Sequence, residues 1–355
     1  MKKIRLPGLI DPHVHMREPG AVHKEDWQTG TSAALAGGFT TILAMPNTTP
    51  PITSASSIQL SLELAKRKAL CDYGQYLGAG PDNAQEIAKS SSCAAGLKMY
   101  LDHTFGELRL DQMQLWMEHF KYWPKNLPLA VHAEKRTMAA AILLAALYDR
   151  SLHICHVSRK EEIAIIRMAK EKGLKITCEV TPHHLFLNEN DLPDLGKGFT
   201  EVRPVLASPE DQAALWNNLD IIDCIATDHA PHTVAEKNSD TPPPGFPGLE
   251  TALPLMLTAV NLGRLSIETL IIKMFTNPKR IFNLPDQPDT YIEVDLVHQY
   301  SITANKMFSR CGWTPFENYP VSGSISRVVL RGEEAYKEGK ILVQPGYGEN
   351  VRKIN

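Results

Sequence analysis

The sequence predicts an α/β fold: a (β/α)8, or TIM, barrel with a small β-subdomain drawn from both chain termini. Three observations lead there, namely eight apolar strand-like runs, helical segments between them, and metal-ligand side chains gathered at the carboxyl ends of the runs. The runs are LIDPHVH (9–15), TTILAMPN (40–47), DYGQYLGAG (72–80), GLKMYL (96–101), LPLAVHAE (127–134), LHICHVS (152–158), KITCEVTPHH (175–184) and IDCIATDHAPH (222–232). Segments of helical period lie between them, among them 24–38, 57–70, 110–123, 135–150, 159–173 and 208–219. Strand and helix alternate eight times, which implies right-handed parallel crossovers and, at this length, a closed barrel rather than an open sheet. DPHVHMREPG (11–20) stands where a glycine-rich dinucleotide fingerprint would follow the first strand.

Helical periodicity ends near residue 285. Short alternating runs follow at 290–296, 299–303 and 326–342, with Arg331-Gly332-Glu333 and Glu338-Gly339-Lys340 as turns. The expected division is a catalytic barrel over 8–284, with 1–7 and 285–355 forming the β-subdomain and C-terminal extension. KKIRL (2–6) is expected to add a strand to that subdomain. NSDTPPPGFPGLET (238–251) is too rich in proline for regular structure and reads as a rigid loop over the barrel mouth.

Composition narrows the class. The chain has 355 residues, 43% of them hydrophobic, and a net charge of -3, so it can bury a full core and lacks the basic excess of a nucleic-acid binder. No apolar stretch has the length of a membrane span and MKKIRLPGL has no signal-peptide pattern, so a cytoplasmic location is expected. The six cysteines show no close-pair spacing and read as reduced core residues, with Cys155 a possible exception.

Residues two apart on a strand share a face, so His13 and His15 both point into the barrel and can bind one ion. Alone, such a pair reads better as polar core or surface. His132, His156 and Asp228 end three further runs at the same rim, and this many imidazoles and carboxylates without a metal would be a costly buried polar cluster. The donor set suits Zn2+ best, with Mn2+ or Co2+ as substitutes. Lys98 sits inside the apolar GLKMYL, where burial disfavours the ammonium. A neutral amine between two metals can capture CO2 as a carbamate, an anionic bidentate ligand; the competing reading is a lysine snorkelling to the rim.

DPHVHMREPG, AMPNT (44–48), GLKMYL, HAE (132–134), ICHVSRKEE (154–162), CEVTPHHL (178–185) and DHAPH (228–232) resemble the amidohydrolase superfamily and, within it, the dihydroorotases. The likeness is greatest to the dihydroorotase domain of animal multifunctional pyrimidine-biosynthesis polypeptides, and extends into PPPGFPGLET, PGYG and VRK near the C-terminus. Met16, where the family pattern usually has leucine, and the first two residues of DHTF (102–105) depart from it. The resemblance implies that His13, His15 and Asp228 hold one zinc, that His132 and His156 hold a second, and that carboxylated Lys98 and a hydroxide bridge them. It makes Asp228 the catalytic proton carrier, or else a ligand only. It assigns Arg17, Asn47, Arg203 and His232 to the substrate carboxylate, with Thr104 and Phe105 on a loop able to act as a lid. Each arginine has a competing reading as a surface ion pair. The resemblance also implies a third zinc on Cys155 and Glu179, although strand alternation puts Cys155 and His156 on opposite faces unless the strand is bulged.

The expected activity is therefore a zinc-dependent interconversion of N-carbamoyl-L-aspartate and L-dihydroorotate in de novo pyrimidine biosynthesis. The alternatives are an allantoinase or hydantoinase, and an inactive scaffold homologue. The expected partners are a small-molecule substrate, a second copy of the chain in a homodimer, and linked or associated carbamoyl-phosphate synthetase and aspartate transcarbamoylase domains. The short flanks around the barrel suggest a domain from a longer polypeptide.

Overall fold

A computed structural model describes residues 3–352. Lys2 of KKIRL, Lys353 of VRK and the other terminal residues of the expected subdomain lie outside the described residues.

Each of the eight predicted runs contains a strand: β2 (Leu9–Val14), β3 (Phe39–Ala44), β4 (Asp72–Gln75) with β5 (Leu77–Gly78), β6 (Leu97–Tyr100), β7 (Leu129–His132), β8 (Leu152–Ile154), β9 (Ile176–Val180) and β10 (Cys224–Ile225). Lys3–Pro7 precedes them as β1. All pairings from β2 to β10 are parallel, in two sheets ordered β2-β3-β4 and β10-β9-β8-β7-β6-β5. The sheets meet in the third run, where Tyr76 donates its N–H to Ala44 O and Leu77 to Gly96 O. At the opposite edges a parallel bridge joins Val14 to His229, and His15 N–H reaches His229 O at 2.8 Å. The strands are buried along nearly their whole length, as expected for parallel strands covered by helices.

The predicted helical segments contain Trp27–Ala36, Met113–Tyr122, Lys135–Leu147, Lys160–Glu171 and Pro209–Asn217, and the segment 57–70 overlaps Ala55–Lys68, which starts two residues earlier. Two further predicted boundaries move. The seventh run stops at Val180, because Thr181 caps the short helix Pro182–Phe186 and Pro182 at its first turn has no N–H to lose. The proline-rich loop ends at Gly248, where helix Leu249–Asn261 begins. That helix is buried on nearly every face and so lacks the amphipathic stripe that reveals a helix in sequence.

The terminal runs form an antiparallel sheet. The runs at 290–296 and 299–303 are one bulged strand, β11 (Tyr291–Ser301), followed by β12 (Pro320–Leu330), β13 (Glu333–Lys337) and β14 (Lys340–Ile341), in the order β1-β11-β12-β13-β14. Arg331-Gly332 and Glu338-Gly339 make the tight turns with positive φ at both residues, which fits the right-handed twist of the flanking strands. All six cysteines are unpaired, and no helix among the described residues is long and apolar enough to cross a membrane.

Candidate metal centre and substrate cavity

The strand ends bring the expected ligands together. His13 and His15, two apart on and just beyond β2, direct Nε2 to the same oxygen of Asp228, at 3.2 and 3.0 Å. Ligand atoms of these three buried residues all lie within 4.8 Å of one another. His15 donates its Nδ1–H to Asn47 Oδ1 at 2.6 Å, and His13 directs Nδ1 to Glu179. Such partners fix ring orientation and leave Nε2 for a cation. Asp11, not singled out from sequence, accepts from His13 N–H at 3.1 Å and from Thr227 N–H at 3.2 Å. It thereby ties the first ligand strand to the segment carrying Asp228.

The second ligand pair is equally close. His132 Nδ1 and His156 Nε2 are 2.9 Å apart, and both rings are buried. Burial, with each ring's cationic neighbours, pushes both histidines below their ordinary range, and burial takes His15 to about 4. Neutral rings are the form that binds metal. His132 Nε2 and His156 Nδ1 are buried without a hydrogen-bond partner.

Lys98 is fully buried, with Nζ 2.9 Å from Cys155 Sγ. Cys155 and His156 both face this interior despite being neighbours. The strand ends at Ile154 and His156 takes φ 35°, a left-handed turn that breaks the alternation. Cys155, Glu179 and His13 form a second cluster with ligand atoms within 4.8 Å, while Glu179 also reaches His153 Nε2 at 3.0 Å. Burial alone would raise the Asp228 carboxyl, yet His13, His15 and His156 hold it well below the usual carboxylate range. Asp228 and Arg17 also sit at positive φ, 44° and 58°, a backbone strain that clusters here at the mouth.

One cavity above these ligands is lined by Arg17, Asn47, Tyr100, Thr104, Phe105 and Arg203. Arg17 is buried, spends Nε–H on Pro231 O at 3.0 Å, and has no partner for Nη1. Its other terminal nitrogen is 3.0 Å from His232 Nε2. Phe105 stands edge-on to the His232 ring at 4.8 Å, and Asn47 donates to its carbonyl at 3.1 Å. Arg203 is partly exposed and paired with Glu201 at 3.1 Å. Tyr100, unassigned from sequence because it lies among apolar residues, has a buried hydroxyl with no partner.

Comparison with known proteins follows the same lines. Residues 2–70 match the family described as dihydro-orotase-like. The chain is 59% identical over 351 residues to multifunctional protein CAD of Squalus acanthias, covering 99% of itself but only 16% of that protein. It is 34% identical to a dihydroorotase of Pyrococcus furiosus, covering 99% of itself and 86% of the relative. Among solved structures it resembles an L-hydantoinase of Arthrobacter aurescens (TM-score 0.92, 26% identity, 98% of this chain and 89% of that one). It also resembles the inactive dihydroorotase-like domain of a Chaetomium thermophilum CAD-like protein (TM-score 0.85, 31% identity, 99% and 100%). With a dihydroorotase matched along almost its whole length at this identity, the chain belongs to the dihydroorotase family.

Proposed function

We propose that the chain is a zinc-dependent dihydroorotase that interconverts N-carbamoyl-L-aspartate and L-dihydroorotate in pyrimidine biosynthesis. The observation that carries the reading is one cavity that combines the convergent histidines and Asp228 with a buried arginine whose terminal nitrogen has no protein partner. In this reading the parallel strands form one closed barrel over 8–284, with the Val14 and His229 bridge as its seam. Residues 1–7 and 285–355 are the attached β-subdomain and extension.

His13, His15 and Asp228 would hold one zinc and His132 and His156 a second, with carboxylated Lys98 between them. The facing nitrogens of this pair, His132 Nδ1 and His156 Nε2 at 2.9 Å, support a cation there. Bound zinc would supply a Lewis acid for the ring amide carbonyl and an acidified water. Lys98, buried and meeting only a thiol among the groups that bond it, is suited to carry CO2 as a carbamate. Asp228, kept ionised, takes the proton of the attacking water and returns it to the leaving amide nitrogen. Arg17, with Asn47, Arg203 and His232, receives the substrate carboxylate; Thr104 and Phe105 cover it. Cys155 and Glu179, clustered beside His13, would hold a third zinc. We place the enzyme in the cytoplasm as a homodimer, linked to or associated with carbamoyl-phosphate synthetase and aspartate transcarbamoylase domains, a reading supported by its match within a multifunctional relative.

Two further readings have specific support: hydantoinase-type turnover from the L-hydantoinase likeness, and an inactive domain from the Chaetomium likeness. Turnover of dihydroorotate, dihydrouracil, hydantoin and allantoin by the zinc-loaded protein separates them. Preference for dihydroorotate is expected. Preference for a ring without a carboxylate favours the first alternative, and no turnover of any favours the second.

A further inference from the structure

Two cations flank the His232 ring. Lys24, 6% exposed, holds Nζ 3.2 Å from Nδ1, while Arg17 holds Nη2 3.0 Å from Nε2. The Pro244 carbonyl is 3.1 Å from that same Nε2. Burial, followed by the charges of Arg17, Lys24 and Lys237, keeps His232 far below the ordinary histidine range, so the ring is neutral. A neutral imidazole has one N–H and one lone pair, and three neighbours are too many for it.

The two tautomers are not equivalent. With the proton on Nδ1, the ring accepts from Arg17, turns an N–H toward the Lys24 ammonium, and leaves the Pro244 carbonyl unmatched. With the proton on Nε2, the ring accepts from Lys24 and donates to Pro244 O. The second arrangement satisfies two neighbours where the first satisfies one, and it exchanges an N–H facing Lys24 for one facing Arg17. It also denies Arg17 Nη2 an acceptor on the ring. Arg17 Nη1 already has none.

We propose that Lys24 is a specificity-determining positioning residue: by occupying the Nδ1 lone pair of His232 it fixes the Nε2–H tautomer and leaves both terminal nitrogens of Arg17 to fork onto a substrate carboxylate. The inference rests on the reading that Arg17 receives that carboxylate, with His232 Nε2–H passing from Pro244 O to it when substrate binds. Lys24 is itself held in place by Glu236 Oε1 at 2.8 Å. The other oxygen of Glu236 accepts from Thr233 N–H at 2.9 Å and Thr233 Oγ–H at 3.0 Å. Burial opposes the Glu236 charge, yet Lys24 and Thr233 bring this carboxyl down to about 2, so the anchor stays ionised at neutral pH. The Lys24 ammonium also lies 4.7 Å from the Phe105 ring, in contact with the loop that covers the cavity.

Ring 15N resonances of His232 in the zinc-loaded protein, assigned by difference against His232→Gln, read the tautomer directly. Nε2–H is expected, and Nδ1–H overturns the proposal whether or not any variant folds. In Lys24→Met the ring is expected to turn over and capture Arg17, raising KM for dihydroorotate roughly tenfold while kcat changes much less. Dihydrouracil, which has no carboxylate, should be hydrolysed as before, and Lys24→Arg should recover most of the lost affinity. An unchanged KM in Lys24→Met, or equal losses for both substrates, overturns the proposal. Arg17→Met is the control for the reading beneath it. If Arg17→Met loses dihydroorotate selectively and Lys24→Met does not, only the role of Lys24 fails. If Arg17→Met loses both substrates equally with zinc retained, the carboxylate reading fails and takes the proposal with it.

Discussion

Lys98 is the side chain on which the proposed metal chemistry turns. Its amine is buried beside Cys155, with no carboxylate bonded to it among the described residues. Lys98→Ala should remove the bridging anion, lower zinc content and reduce turnover by more than about 100-fold, with partial recovery on adding a short carboxylic acid. Full turnover and undiminished zinc in that variant would refute the carbamate. The convergence of His13, His15, His132, His156 and Asp228 was legible from sequence, because strand alternation and chain order suffice to bring them together. Asp11 and Lys24 were not legible, because their roles depend on Thr227 and His232, more than 200 residues away. Neither residue type signals such a partner locally. The neighbours Cys155 and His156 could be reconciled only by the left-handed backbone at His156, which no residue preference announces.

Among the elements, strands were easier to read than the buried helix. Leu249–Asn261 carries Glu250, whose carboxyl accepts from Phe308 N–H at 2.9 Å and Ser309 N–H at 3.0 Å, tying this helix to the segment between β11 and β12. Burial pushes this carboxyl from its ordinary 4.5 up to about 8. The folded state therefore keeps a proton that the unfolded chain loses, and this contribution to stability declines as pH rises from about 5 to 8, by at most about 1.4 kcal/mol per unit. Glu250→Gln should flatten that decline, which thermal unfolding at pH 5, 6, 7 and 8 would read; a parallel slope in the variant would remove Glu250 as the cause. A second element depends on one of the residues that depart from the family pattern. Asp102 accepts from Glu134 N–H at 2.7 Å and from the Thr137 hydroxyl at the start of helix Lys135–Leu147. Asp102→Ala should cost about 1 kcal/mol, measurable as a lower denaturant midpoint at unchanged m-value.

On the scale of the whole molecule, the terminal sheet and the C-terminal extension are fastened to the parallel strands. Arg331 pairs with Asp72, Glu349 N–H donates to the same carboxylate at 2.9 Å, and Val351 N–H reaches Tyr73 O at 2.8 Å. The alternation of strands and helices foretold the eight-fold parallel order. It could not foretell this fastening, whose partners are far apart in sequence. The proposed reaction also makes a prediction independent of any one residue. Ring closure converts a dicarboxylate to a monocarboxylate and consumes a proton, so the equilibrium should move about tenfold toward dihydroorotate for each unit fall in pH. Product ratios at equilibrium between pH 6 and 8 test this, and a pH-independent ratio would contradict the assigned substrate pair. The most direct test of the central claim is dihydroorotate hydrolysis by metal-stripped protein titrated with zinc, with bound metal measured in the same samples. Activity should be absent without zinc and rise with occupancy of the site built by His13, His15, His132, His156 and Asp228. Full hydrolysis by zinc-free protein, or none at full occupancy, would contradict it.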